Sequence, residues 1–131
     1  MHEIILIRDG STSRMLADAA RKIFLALKLD TTEERESSNY VDGFYFVGYA
    51  GNVAVKVCYS DGAEMPDYPY WVVLQNPAPG KNVAARINSH PEAVATELTR
   101  VGFDVFIPSR GFGRTDWDHA GAHYRANEKN A

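Results

Sequence analysis

At 131 residues, 45% hydrophobic and 24% charged, the chain has the size and composition of one globular domain with its own apolar core, which excludes wholesale disorder and a two-domain arrangement. A formal net charge of -3 excludes a general nucleic-acid binder, whose phosphate contacts need a basic surface. The single cysteine, Cys58, excludes an internal disulfide, and the run Ile4-Ile5-Leu6-Ile7 is too short for a membrane span or a signal-peptide core, so the expected setting is the reducing cytoplasm.

Residues 2–8, apolar on both faces across the isoleucines, predict a strand inside a sheet rather than at its edge. The polar DGSTS that follows is turn chemistry, with Ser11 or Ser13 available as a helix N-cap. Leu16, Ala20, Ile23, Phe24 and Leu27 then recur at three- and four-residue spacing, which predicts an amphipathic helix over 12–28, with Lys28 complementing the dipole at its end. Residues 32–39 are polar throughout and weakly patterned, which fits a solvated edge strand or a loop, the edge strand being the reading taken, and the turn signal Asp42-Gly43 follows.

The stretch 44–59 carries the strongest local signal in the chain. Gly51-Asn52 is a two-residue hairpin connection, and it sets a register in which Ala50 faces Val53, Gly48 faces Val55, Phe46 faces Val57 and Phe44 faces Tyr59. Those side chains make one solidly apolar face, which is read as core. The other face pairs Tyr49 with Ala54, Val47 with Lys56 and Tyr45 with Cys58, and is half polar.

The segment DGAEMPDYP predicts an exposed loop, 70–75 a strand, 76–81 a second loop, and 82–88 a short strand or irregular run. Ser89-His90-Pro91-Glu92 reads as a helix start with Ser89 at the cap, and Val94, Leu98 and Val101 form the buried stripe before Gly102. A strand over 103–107 stops at Pro108. This order predicts an α+β two-layer sandwich: a mostly antiparallel sheet of five or six strands with two helices packed on one face. Residues 1–108 form the domain and 109–131 a C-terminal tail that is partly ordered.

Three motifs outside the core have bland readings that fit better. DGSTS lacks the lysine and the glycine spacing of a phosphate-binding loop, so it is read as an ordinary cap. RGFGR at 110–114 shares the opening of the RNP1 strand of RNA-recognition motifs, but it follows the last strand and lacks the apolar-aromatic continuation. His119 and His123 are four apart, with Asp116 and Asp118 nearby, yet Gly121 interrupts the helix such a metal pair would need; no metal site and no cofactor are expected, and Asp116, His119 and His123 are the residues any metal would use.

The remaining feature is a spare surface: Tyr45, Tyr49 and Lys56 on the open face, followed by the acidic-aromatic loop carrying Asp61, Glu64, Asp67 and Tyr68. Tyrosines give large contact area at low entropic cost, and carboxylates steer a basic partner, so the expected function is a non-enzymatic binding protein. A bacterial immunity protein or inhibitor docking on a macromolecule is the type in view, with a homodimer as another way to cover the face. The alternative is a small ligand-binding domain or enzyme whose pocket lies between the sheet and the tail and uses Arg110, Asp116, His119 and His123.

Overall fold

A computed structural model describes residues 2–9, 16–36, 43–59, 68–75, 90–108 and 120–126. Gly51 has φ 63° and Asn52 does not share a positive φ, the pattern of a type II′ turn, whose twist suits the strands it joins. The strands on either side, Phe44–Ala50 and Val53–Tyr59, pair in the register expected from the turn, with Phe46 opposite Val57 and Val47 opposite Lys56.

In chain order the elements are β1 (His2–Asp9), α1 (Leu16–Leu27), β2 (Thr31–Glu36), β3 (Phe44–Ala50), β4 (Val53–Tyr59), β5 (Tyr70–Gln75), α2 (Pro91–Arg100), β6 (Phe103–Pro108) and β7 (Gly121–Tyr124). Among the described residues the strands form one seven-stranded sheet ordered β2-β3-β4-β5-β1-β6-β7, and every neighbouring pair is antiparallel. The strand count exceeds the expected five or six. The extra strand is β7, whose sequence GAHY has no apolar alternation and is extended because it pairs with β6.

Strand β1 sits between β5 and β6, as its two apolar faces require. Each helix is a crossover between parallel strands, α1 from β1 to β2 and α2 from β5 to β6. The two crossovers run in opposite directions along the sheet from oppositely directed strands, so the same right-handed rule lays both helices on one face. The core between the layers joins Ile5 and Ile7, Val53, Val55 and Val57, Tyr70, Val72 and Leu74, and Phe103 and Val105 to Leu16, Ile23, Leu27, Val94 and Leu98. Burying each such side chain contributes roughly 1.5–3 kcal/mol.

Several expectations are corrected in detail. The α2 cap is His90, not Ser89: Pro91 forces the residue before it out of the helical region, and His90 has φ -65° and ψ 132° with its Nδ1 accepting from Glu92 N at 3.4 Å. Val101 lies past the last turn and is exposed, while Ala95 takes the third buried place. Phe24 and Phe46 are half-buried rather than core, because α1 does not reach across the outer edge of β3. At the start of α1 the Tyr59 hydroxyl accepts from Leu16 N at 3.1 Å, so a strand side chain satisfies an amide that helix geometry leaves unpaired. Ser11, Ser13 and the run 82–88 lie outside the described residues.

Candidate functional site

The end of α1 determines the shape of the sheet edge beside it. Lys28 takes φ 55°, Lys28 N donates to Leu25 O at 3.2 Å and Leu29 N to Phe24 O at 3.0 Å, the hydrogen-bond pair of a Schellman cap. Asp30 N then donates to Tyr49 O at 2.9 Å, which turns the chain directly into β2. Leu29 lands on Gly48 of β3. A Cβ at that position would come within 2.7 Å of Leu29 Cδ1 and 3.2 Å of Leu29 Cβ, so glycine is what lets the helix end seat on the strand.

Because α1 packs over β3 and β4, β2 extends beyond it and leaves a cleft of about 390 Å³ between helix and edge strand. Ala17, Ala20, Phe24 and Leu25 line its helix side, Phe46 and Leu29 its floor, and Thr32, Glu33 and Glu34 its outer rim. Phe46 stacks edge-on against Phe44 with centroids 5.8 Å apart, which holds the floor in place. Leu25, two residues from both Ile23 and Leu27 and so turned away from the buried stripe, is 72% exposed. The rim is acidic: Glu34 stands on the helix side of β2, opposite Phe46 in register, and makes no ion pair among the described residues. Arg21, on the helix side, lies 3.8 Å from Asp18.

The reverse face of the same strands carries three of the residues singled out from the sequence. Tyr45 and Tyr49 pack around the buried pair Val47 and Ala54, and the Lys56 ammonium lies 5.7 Å from the centre of the Tyr45 ring. Arg35 of β2 bonds Glu33 and reaches the Tyr49 hydroxyl at 3.5 Å, and the hydrogen bonds it donates to Glu33 and Tyr45 raise its guanidinium above its ordinary range. Tyr45, Tyr49 and Lys56 are therefore together, as expected, and all three are half-buried.

Tyr68 does not join them. It is buried at the far end of the sheet against Leu6 and Phe106, so its ring closes a second apolar cluster instead of facing a partner. Arg8 lies over that ring at 5.1 Å, and the Tyr68 hydroxyl is 3.3 Å from His123 Nδ1. His123 itself is on β7, an extended strand, so the helical spacing to His119 does not hold from residue 121 on. Asp61, Glu64, Asp67, Arg110, Asp116 and His119 lie outside the described residues. Among the described residues no three His, Cys, Asp or Glu side chains are grouped to hold a metal ion. Cys58 is buried and free, and burial pushes its thiol up to about 12, which leaves it protonated and unreactive at neutral pH.

The cleft itself was missed in the sequence, although one signal pointed to it: Leu25 is a large apolar residue on the polar side of an amphipathic helix. No helix of the described residues is long and apolar enough to cross a membrane. No family model, no curated protein and no solved structure matches this chain.

Proposed function

We propose that this chain is a non-enzymatic cytoplasmic binding protein that docks on a positively charged protein partner, in the manner of a small inhibitor or immunity protein. The observation that supports this reading most is the cleft beside α1, where a 72% exposed leucine adjoins a half-buried phenylalanine under a rim of glutamates. Apolar surface left in water at about 25 cal/mol per Å² is a standing gain for any partner that covers it. The carboxylates on the rim and the net charge of -3 would steer a basic partner toward that edge. Tyr45 and Tyr49 lie on the reverse of the same strands and would extend the contact around the edge. The inert thiol of Cys58 suits a reducing compartment.

The test is capture of a partner from the native host on immobilised protein, followed by titration calorimetry with the purified partner. Binding should weaken about tenfold, equivalent to about 1.4 kcal/mol, when Leu25→Glu and Glu34→Lys are combined. The reading is lost if no protein binds saturably and a metabolite from a ligand panel instead raises the melting temperature by several degrees.

A further inference from the structure

Strand β2 ends the sheet order, so one side of its backbone has no strand partner among the described residues. The cleft runs along that strand, between it and α1. An open edge beside a helix-flanked apolar groove is the arrangement in which an extended peptide adds as a further strand, with backbone bonds giving affinity and alternate side chains entering the groove. We propose that β2 takes an extended segment of the partner protein whose helix-side positions are apolar and basic in turn, the apolar side chains entering the cleft toward Leu25 and Phe46 and the lysine or arginine meeting Glu34 or Glu36. This deepens, and rests on, the docking reading above.

Charge selects the occupant. Glu34 and Glu36 face the helix side of β2, both exposed and neither in an ion pair among the described residues; Glu34 is on the rim of the cleft, across from Arg21 on the helix wall, and Glu36 is two residues further along the strand. A second copy of β2 fits poorly in two of the three two-fold antiparallel registers that pair five or six residues of this six-residue strand, which set Glu33 against Glu33 or Glu33 against Glu34 with no acid–base pair opposite; the third sets Glu34 against Glu34 but also Glu33 against Arg35 twice, and sedimentation tests it. Like charges directly opposite destabilise a strand pair, which is also how natural edge strands resist pairing with themselves. A segment with lysine or arginine among its helix-side positions meets Glu34 or Glu36 with the opposite charge instead.

The probes are three labelled peptides titrated by fluorescence anisotropy at low salt: a valine–lysine octapeptide repeating Val-Thr-Lys-Thr, which puts valine and lysine on one face of an extended strand, its valine–glutamate counterpart with glutamate for lysine, and a leucine–lysine peptide patterned as an amphipathic helix. The valine–lysine strand should bind saturably, at least about tenfold tighter than either other peptide, and should lose about that factor in Leu25→Glu and in Glu34→Lys. Both substitutions fall on exposed residues, and unchanged melting temperatures will show that they leave folding intact; Glu34→Gln, which removes the charge without reversing it, should give an intermediate loss. Binding should also slow amide exchange along β2. The proposal is overturned if the valine–lysine and valine–glutamate peptides bind alike, if the helical peptide binds tighter, if β2 exchange is unchanged, or if sedimentation shows a dimer that Glu34→Lys alters. A captured partner that ignores Leu25→Glu and Glu34→Lys would remove both β2 and the cleft as its site, leaving only that the chain binds a protein; a partner that is weakened by them while the valine–lysine peptide does not bind would remove the strand addition alone.

Discussion

At one edge of the sheet, β7 is held by side chains from β1, β6 and the residue Tyr68 ahead of β5, and its Tyr124 packs on the core, whereas at the other edge the described side chains of β2 are all exposed and none joins a core cluster. The His123 ring sits on Phe106 with centroids 4.7 Å apart and meets the Tyr68 hydroxyl. Just beyond the strand, Ala126 N donates to Asp104 Oδ1 at 2.8 Å, while Arg8 Nε from β1 donates to Asp104 Oδ2 at 2.8 Å and Arg125 stands 4.0 Å away. A four-residue strand is thus tied through a carboxylate that three elements share. Strand β2 depends on its ladder to β3 and on Arg35, which reaches the Tyr49 hydroxyl, while its outer backbone has no strand partner among the described residues and Glu34 and Glu36 stay exposed. Edges of the second kind open at lower free energy and are where binding surfaces are commonly found.

The largest expected effect tests that asymmetry in packing. Phe106→Ala should cost about 3–5 kcal/mol, the usual range for a fully buried phenylalanine, and should take β7 with it. Phe46→Ala should cost about 1–2 kcal/mol, since its ring is already half in water at the cleft floor. Urea unfolding measures both. Equal losses would mean that the cleft is packed as tightly as the core and would erase the distinction between the edges.

Asp104→Asn probes the tie at β7. Partial burial pushes the Asp104 carboxyl up, but the Ala126 amide, the Arg8 hydrogen bond and the charges of Arg8 and Arg125 together outweigh it and hold it below its ordinary 3.8. A carboxylate lowered in the folded state stabilises fully above its ordinary value, and that contribution disappears as pH falls through the lowered one. Asp104→Asn should therefore cost about 1 kcal/mol at neutral pH, with exchange of the β7 amides accelerated. The gap from the parent should close in strong acid. A gap that stays constant with pH would show that the carboxylate's charge is not what holds β7.

The smallest effect belongs to the β2 side. Lys28 occupies the left-handed position that ends α1, where a residue with a Cβ is strained and glycine is preferred. Lys28→Gly should gain about 0.5–1 kcal/mol in thermal unfolding without altering the β2 ladder. A loss instead would mean that the Lys28 side chain contributes more at the helix end than its strain costs.

How much of this was legible beforehand follows from the range of each interaction. The hairpin register needed only a two-residue turn and the period of two along a strand, so Phe46 against Val57 could be read within a dozen residues. The edge position of β2 followed from its unbroken polarity, and α1 from its 3.6-residue stripe. The candidate site was legible only in part. Tyr45, Tyr49 and Lys56 share a face because strands alternate, whereas Tyr68, nine residues past the hairpin's last residue, went elsewhere.

Local patterning thus determined which residues pair, which face is apolar and that the class is α+β. Tertiary placement decided the rest. GAHY became a strand because Phe106 and Asp104 hold its surroundings, not because of its own propensity, and Tyr68 turned inward because Leu6 and Phe106 offered it an apolar seat across β1 and β6. The cleft exists because a 12-residue helix crossing to β2 comes to rest over β3 and β4, one strand short of the edge. No window of sequence contains that offset, since it is set by how two layers with different spacings pack against each other.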